Sequence, residues 1–239
     1  MRVFVAGDLH GCYRGLVQAL ERSGFNNDED RLICLGDYVD GWSETYEIVE
    51  LLLTLKDTVC IMGNHDHVWL RYLETGIHEW SFGQGARATL DSYEKHNALV
   101  DEKHIRFFRS LHSHYIDDEH RLFIHGGFNR HVPLSEQRRH EFMWDRDLWM
   151  SALSFRDIPT PLGGRKYKFK MVDKFKEVFI GHTATVNWDT DKPMQAANIW
   201  NLDTGGGWGG KVTIMNVESK EYFQSDPVKT LYPDEQGRH

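Results

Sequence analysis

Five short apolar runs in this 239-residue chain each stop at a cluster of small and polar residues. They are VFVAGDLHG from Val3, ICLGDYVDG from Ile33, CIMGNHD from Cys60, LFIHGG from Leu122 and VFIGH from Val178. Runs of a few β-branched and apolar residues closed by glycine read as strands buried on both faces. Helical patterns separate the first three, at Tyr13 to Arg22 and at Ser43 to Leu55, the second with Glu44 and Glu47 in its first turn. Alternation of strand and helix predicts parallel strands joined by right-handed crossovers. Parallel strands end at one edge of their sheet, where ligands of open α/β folds bind. The five polar clusters are therefore expected to converge.

Further along, His67 to Leu111 is mostly helical in pattern and free of proline, with Gly83 and Gly85 as a helix-flanking turn. Tyr115–Ile116 and Leu122–Ile124 predict a hairpin turning at Asp117–His120. Lys166 to Lys176 is basic and aperiodic. Ile199 to Leu202, Val212 to Val217 and Tyr222 to Gln224 predict antiparallel strands that close the fold, and the segment from Pro227 is expected to be peripheral. With 40% hydrophobic residues and no internal repeat or linker, residues 1–239 are expected to form one α/β domain.

The formal charge of −8 argues against a nonspecific DNA-binding surface. Bound divalent cations would reverse the sign locally, which keeps nucleic acid open as a ligand. Cys12, Cys34 and Cys60 form no C-x-x-C pair, and three sparse cysteines point to a reducing compartment without a disulfide framework. MRVFVAGD is too short in apolar residues for a signal peptide, and no run suffices to span a bilayer, so a soluble cytoplasmic protein is expected.

The polar clusters carry carboxylates (Asp8, Asp37, Asp40), imidazoles (His10, His65, His125, His182) and the amide of Asn64. Such a mixed N/O set suits Mn, Fe, Zn or Ni better than Ca, which prefers oxygen alone. Six ligands exceed what one tetrahedral metal with an open position needs, and two metals sharing one carboxylate fit better. A single G-D-x-H reads equally well as a strand ending in a polar turn. Five such endings in one chain leave that reading little room.

In order and spacing, G-D-x-H-G, G-D-x-x-D-G, G-N-H-D, H-G-G and G-H-T resemble the calcineurin-like metallophosphoesterases, closest to the small bacterial and phage members of the serine/threonine phosphoprotein-phosphatase branch. The resemblance runs from about Arg2 to Thr213. It implies a four-layer α/β/β/α sandwich with mixed sheets, where periodicity shows only α/β with a later antiparallel part. It also implies a hydrolase of phosphate esters that uses two divalent metals, Mn first, and attack by a hydroxide bridging them. Asp8 and His10 would bind the first metal, Asp37 would bridge, and Asn64, His125 and His182 would bind the second. His65 would be the general acid and Asp40 the residue that orients it. Arg146, in MWDRDLW, would grip the phosphate.

Two departures concern the substrate. Family phosphatases read G-D-x-V-D-R-G and R-G-N-H-E, and here Gly41 and Met62 stand in place of the two arginines. Arg87, Arg130 and Lys166 are candidate substitutes, each more simply read as a solvated charge. GGGWGGK from Gly205 mimics a nucleotide P-loop but is followed by a strand pattern; it instead resembles the family's glycine-rich turn, which lets backbone pass close to the site. His67, His112 and His114 read as packing or surface residues, Cys12 as a small packed side chain, and Trp80, Trp149 and Trp188 as core. Trp144, beside Arg146, is a candidate pocket residue. The substrate is then a phosphoprotein or small phosphoester. The alternatives are a diadenosine polyphosphate or other nucleotide phosphoanhydride, a nucleic-acid phosphodiester, and, outside catalysis, a metal-pocket scaffold that binds partners.

Overall fold

The parallel strands expected at the start of the chain are present in a computed structural model, which describes residues 1–80, 83–99, 101–155 and 170–238. In chain order the elements are β1 (Val3–Ala6), α1 (Tyr13–Ser23), β2 (Arg31–Cys34), α2 (Thr45–Thr54), β3 (Thr58–Cys60), α3 (Asn64–Thr75), α4 (Ala86–Lys95), α5 (Glu102–Ser110), β4 (His114–Ile116) and β5 (Leu122–Ile124). There follow α6 (Arg139–Trp144), α7 (Asp147–Ser154), β6 (Val178–Ile180), β7 (Met194–Ala196), β8 (Ile199–Asn201), β9 (Thr213–Asn216), β10 (Tyr222–Gln224) and α8 (Val228–Leu231). None of the described helices is long and apolar enough to cross a membrane. All three cysteines are free.

The strands form two mixed five-stranded sheets, ordered β10-β9-β1-β2-β3 and β4-β5-β6-β8-β7. Within the first, β1, β2 and β3 are parallel; within the second, β5, β6 and β8 are parallel. Alternating side chains explain the layering. Val5, Ile33, Ile61, Phe123, Phe179 and Met215 point between the sheets into one cluster, where Phe123 and Phe179 stack at 4.9 Å. Their neighbours point outward: Phe4, Ala6, Leu32 and Cys34 toward a helix-covered core, Leu122, Ile124, Val178 and Ile180 toward a second one with Leu148 and Trp149 of α7. Helix, sheet, sheet and helix thus make the four layers expected. The inner strands β1, β2, β5 and β6 are buried on both faces, which is why they read as unbroken apolar runs rather than alternating ones.

Two expectations are corrected. Ile199–Asn201 does not join the closing antiparallel strands. It runs parallel to β6 in the second sheet, while β9 and β10 extend the first beside β1. The segment from Pro227 is not peripheral either. Val228 and Tyr232 are buried, Tyr232 stacks on Trp42 at 5.3 Å, and Glu235 accepts hydrogen bonds from Ser43 N–H (2.9 Å) and Oγ (2.6 Å). Neither feature leaves a local signal, because each depends on contacts with residues far away in sequence.

The loops that leave β2 and β3 are locked together by Asp66, which is wholly buried in the first turn of α3. Its carboxylate accepts the backbone N–H groups of Asp37 and Gly63 on Oδ2 and of Tyr38 on Oδ1, each at 2.8 Å. Removing it would strand three buried donors, each at a cost of about 1–3 kcal/mol. Asp66→Ala is therefore expected to lower the free energy of unfolding by about 3 kcal/mol or more in denaturant titration. Asp66→Asn should restore part of the loss; a loss under about 1 kcal/mol would show that the loops hold without the carboxylate.

Candidate metal centre

Five loops deliver the donors: Asp8 and His10 after β1, Asp37 and Asp40 after β2, Asn64 and His65 at the start of α3, His125 after β5 and His182 after β6. All are buried, His182 the most open of them at 7% exposed. Donor atoms of Asp8, His10 and Asp37 lie within 4.8 Å of one another, and so do those of Asp37, His125 and His182. Asp37 belongs to both groups. Asn64 Oδ1 lies 3.1 Å from His125 Nε2, beside the second.

The backbone is bent to aim these side chains. His10, Asp37, Asp40 and His182 have φ of 46°, 51°, 65° and 66°, a left-handed region that non-glycine residues rarely adopt and that costs of order 1–3 kcal/mol each. Local bonds hold them there; His182 N–H, for instance, donates to Asp8 Oδ2 at 3.1 Å. The loops also approach closely. A Cβ on Gly63 would fall 2.0 Å from Asp37 Oδ1, and one on Gly181 2.0 Å from Asp8 Oδ1, so both positions need glycine.

Backbone carbonyls set the tautomers. His10 Nδ1–H donates to the carbonyls of Val39 (3.0 Å) and Asp40 (2.8 Å), and His125 Nδ1–H to that of Leu35 (2.9 Å). The Nε2 atoms are thereby left facing the carboxylates, 3.6 Å and 3.4 Å from Asp37 Oδ2. Buried carboxyl groups crowd the pocket. Burial, with the charges of Asp203 and Asp37, pushes the Asp8 carboxyl well above the usual carboxylate range. Burial opposes a charge on His125, yet Asp37 and Asp8 outweigh it and lift the imidazole to about 10. Two overlapping N/O donor groups that share a carboxylate fit a pair of divalent cations.

Beside the donors stands a second arrangement. His65 Nδ1 meets Asp40 Oδ2 at 2.8 Å, and the other Asp40 oxygen accepts from Thr89 Oγ1 at 3.0 Å. Burial pushes the Asp40 carboxyl up to about 8 and the His65 imidazole down to about 3. Trp80 meets the His65 ring edge-on at 4.6 Å, rather than lying in the core. Trp144, 36% exposed, stands 6.1 Å from both Trp80 and His182, edge to face with each. Arg146 lies in the break between α6 and α7, not on a helix, and its Nε donates to His182 Nε2 at 3.1 Å.

All nine residues singled out from the sequence thus meet in one region. The candidate substitutes do not. Arg87 is ion-paired with Asp91 on the surface of α4, Arg130 points to Met171 and lines a separate apolar cavity of about 530 Å³ with Phe128 and Phe175, and Lys166 lies outside the described residues. Burial raises Cys12 to about 12, consistent with an inert thiol. Trp149 and Trp188 pack together at 6.1 Å. The glycine-rich turn does pass the site: a Cβ on Gly207 would fall 2.6 Å from His10 Cδ2.

Sequence reasoning missed Asp66, Thr89, Asp203 and Arg238, whose Nη1 stands 3.1 Å from His10 Nε2. Asp66 stands inside G-N-H-D and Asp203 just before the glycine-rich turn, so proximity to motifs was a usable signal. Thr89 and Arg238 carry none, being brought in by tertiary packing alone.

The sequence pattern of calcineurin-like phosphoesterases matches residues 1–186. The symmetrical bis(5′-nucleosyl)-tetraphosphatase of Pseudomonas fluorescens (strain SBW25) is 25% identical over 93% of this chain and 94% of its own length. That of Coxiella burnetii (strain Dugway 5J108-111) is 25% identical over 92% and 90%. Among solved structures, a putative diadenosine tetraphosphatase superposes with a TM-score of 0.66 at 18% identity, covering 93% of this chain and 92% of that one. A protein serine/threonine phosphatase from Saccharomyces cerevisiae does so with 0.63 at 14% identity, covering 95% and 80%. Motifs, layering and sequence pattern agree: the chain belongs to the calcineurin-like phosphoesterase family, whose members hydrolyse phosphate esters with divalent metal ions.

Proposed function

We propose that this protein is a dinuclear metal-dependent hydrolase of nucleotide phosphoanhydrides, with a dinucleoside polyphosphate as substrate. The observation that carries the substrate is the pair Trp80 and Trp144, which touch the rings of His65 and His182. A nucleobase can stack on such rings, at about 1–3 kcal/mol per base; a phosphoserine offers nothing to stack. The names of the relatives that align along nearly the whole chain favour the same reading. The second reading, a phosphomonoesterase of the protein-phosphatase type, is favoured by Arg146 beside His182.

Asp8, His10 and Asp37 would hold one cation, and Asp37, Asn64, His125 and His182 the other. The chemistry supplied by such a pair, Mn²⁺ being the first candidate, is charge neutralisation on phosphoryl oxygens and a lowered pKa for water. His65 presents its Nε2 edge to the centre because Asp40 holds Nδ1; burial places the pair's shared proton on Asp40, so the neutral ring keeps its N–H on Nε2 and would donate it to the leaving oxygen as Nδ1 takes up the proton of Asp40. Such help is worth roughly a hundredfold to ten-thousandfold in rate. Arg146 orients a phosphoryl oxygen through paired N–H groups.

The division of labour is tested by two variants. Asp37→Ala is expected to lose both metal ions and activity, read by elemental analysis and turnover. His65→Ala should keep the metals and lose about 10²–10⁴ in kcat, with a smaller loss on nitrophenyl phosphate, whose leaving group needs little protonation. Equal metal loss in the two would refute the assignment.

Arg146→Ala should weaken transition-state stabilisation by about 2–4 kcal/mol, the range for one preorganised donor, and Arg146→Lys should recover only part. A fall in kcat/KM under threefold, less than about 1 kcal/mol, would return Arg146 to an ordinary surface role.

For the substrate, kcat/KM with Mn²⁺ is compared across a dinucleoside tetraphosphate, nitrophenyl phosphate and a phosphopeptide. The first should lead. Trp144→Ala should raise KM for it roughly fivefold to a hundredfold, in line with one lost base stack, and leave KM for the phosphopeptide unchanged. A phosphopeptide in first place would overturn the nucleotide reading in favour of the monoesterase.

A further inference from the structure

Arg238 is the least expected residue at the centre. It lies beyond α8, and Tyr232 and Glu235 pin the segment that carries it against Trp42 and Ser43. Its own N–H donates to Gly207 O at 2.9 Å, and its guanidinium lies over the Trp208 ring at 4.7 Å. One arm, Nη1, stands 3.1 Å from His10 Nε2; the other, Nη2, reaches Gln84 Oε1 at 3.4 Å. Nε is buried without a hydrogen-bond partner. No carboxylate among the described residues forms an ion pair with Arg238.

The chain makes room for this side chain. A Cβ on Gly41 would lie 3.5 Å from Arg238 Cγ, and one on Gly207 2.9 Å from its Cδ. At Gly207 the approach is closer than a Cβ can come, whereas at Gly41 it is ordinary packing contact. Arg238 thus packs against both glycines and reaches the first donor group from a segment far along the chain.

A guanidinium with an unused buried N–H and no partner carboxylate is poorly satisfied as a purely structural element, since buried donors are normally paired. His10 Nε2 is also the nitrogen turned toward Asp8 and Asp37, so a cation on it would release Nη1 from that contact. The guanidinium would then have free N–H groups beside a cation pair, and an anion of several charges would satisfy both. From this arrangement we infer that Arg238 is a substrate-binding residue that grips phosphate oxygens from the side of His10, opposite to Arg146 at His182. The inference rests on the phosphohydrolase reading above. It adds that the site is completed by a residue from outside the motif-bearing part of the chain. Arg146 and Arg238 then flank the centre, an arrangement suited to a chain of phosphates rather than to a single one.

Orthophosphate is the probe, because its binding does not depend on which ester is cleaved. Calorimetric titration of Mn²⁺-loaded wild type, Arg238→Ala and Arg238→Lys is paired with elemental analysis of each. Arg238→Ala should keep its metal content and bind orthophosphate at least tenfold more weakly, with KM for the dinucleoside tetraphosphate raised at least as much. Arg238→Lys should fall between, because lysine keeps the charge without the paired geometry. Unchanged orthophosphate affinity in Arg238→Ala, with wild type binding and hydrolysing normally, overturns this inference and leaves the proposed function standing. Loss of metal in step with phosphate overturns it in favour of a residue that merely positions His10. A gain in metal affinity or turnover overturns it in favour of an inhibitory plug. Wild type that takes up Mn²⁺ but neither binds orthophosphate nor hydrolyses any ester overturns both readings.

Discussion

Everything at the centre depends on a carboxylate that would touch neither metal nor substrate. Asp66 accepts three backbone N–H groups from two loops and so fixes the distance between the turn after β2 and the start of α3. Asp37 comes from the first loop, Asn64 and His65 from the second. The glycine at position 63 is the counterpart of this tie, because the loops come so close that no Cβ fits beside Asp37. A hydrogen-bonded carboxylate that is buried is costly to replace, and this one converts that cost into positional accuracy.

The donors themselves are held against their own electrostatics. Asp8, Asp37 and Asp203 are buried close together, and burial alone disfavours charge on each. Left-handed backbone at four of the site residues adds strain. Both are the expected signature of a site shaped for ligands rather than for stability, with the surrounding double-sheet core supplying what the site withholds. The dry layer between the sheets, including the Phe123 and Phe179 stack, is rigid support of that kind.

What could be read in advance follows from this division. Apolar runs closed by a glycine and a ligand are local patterns, so β1, β2, β3, β5 and β6 and every donor on them were legible, as was their convergence at one edge. The sheet to which Ile199–Asn201 belongs was not legible, because a three-residue strand carries no information about its partner. Trp80 looked like one more core aromatic, since exposure at a pocket wall has no local mark. The segment after Pro227 looked peripheral because its anchors are single contacts: a ring on Trp42, a carboxylate on Ser43. Single contacts leave no periodicity.

The pairing of β1 with β9 joins Phe4 to Asn216 and Ala6 to Ile214, strands separated by nearly the whole described chain. β1 is the middle strand of its sheet, and one of its two edges waits for a partner that is synthesised much later. At translation rates of about 5–20 residues per second that wait is roughly ten to forty seconds, long compared with the time in which helices form. During it, β1 offers an open apolar edge next to the first two donors. Such long-range closure slows folding and makes the nascent chain, rather than the finished protein, the stage at which this fold is most exposed to mispairing and most in need of a chaperone.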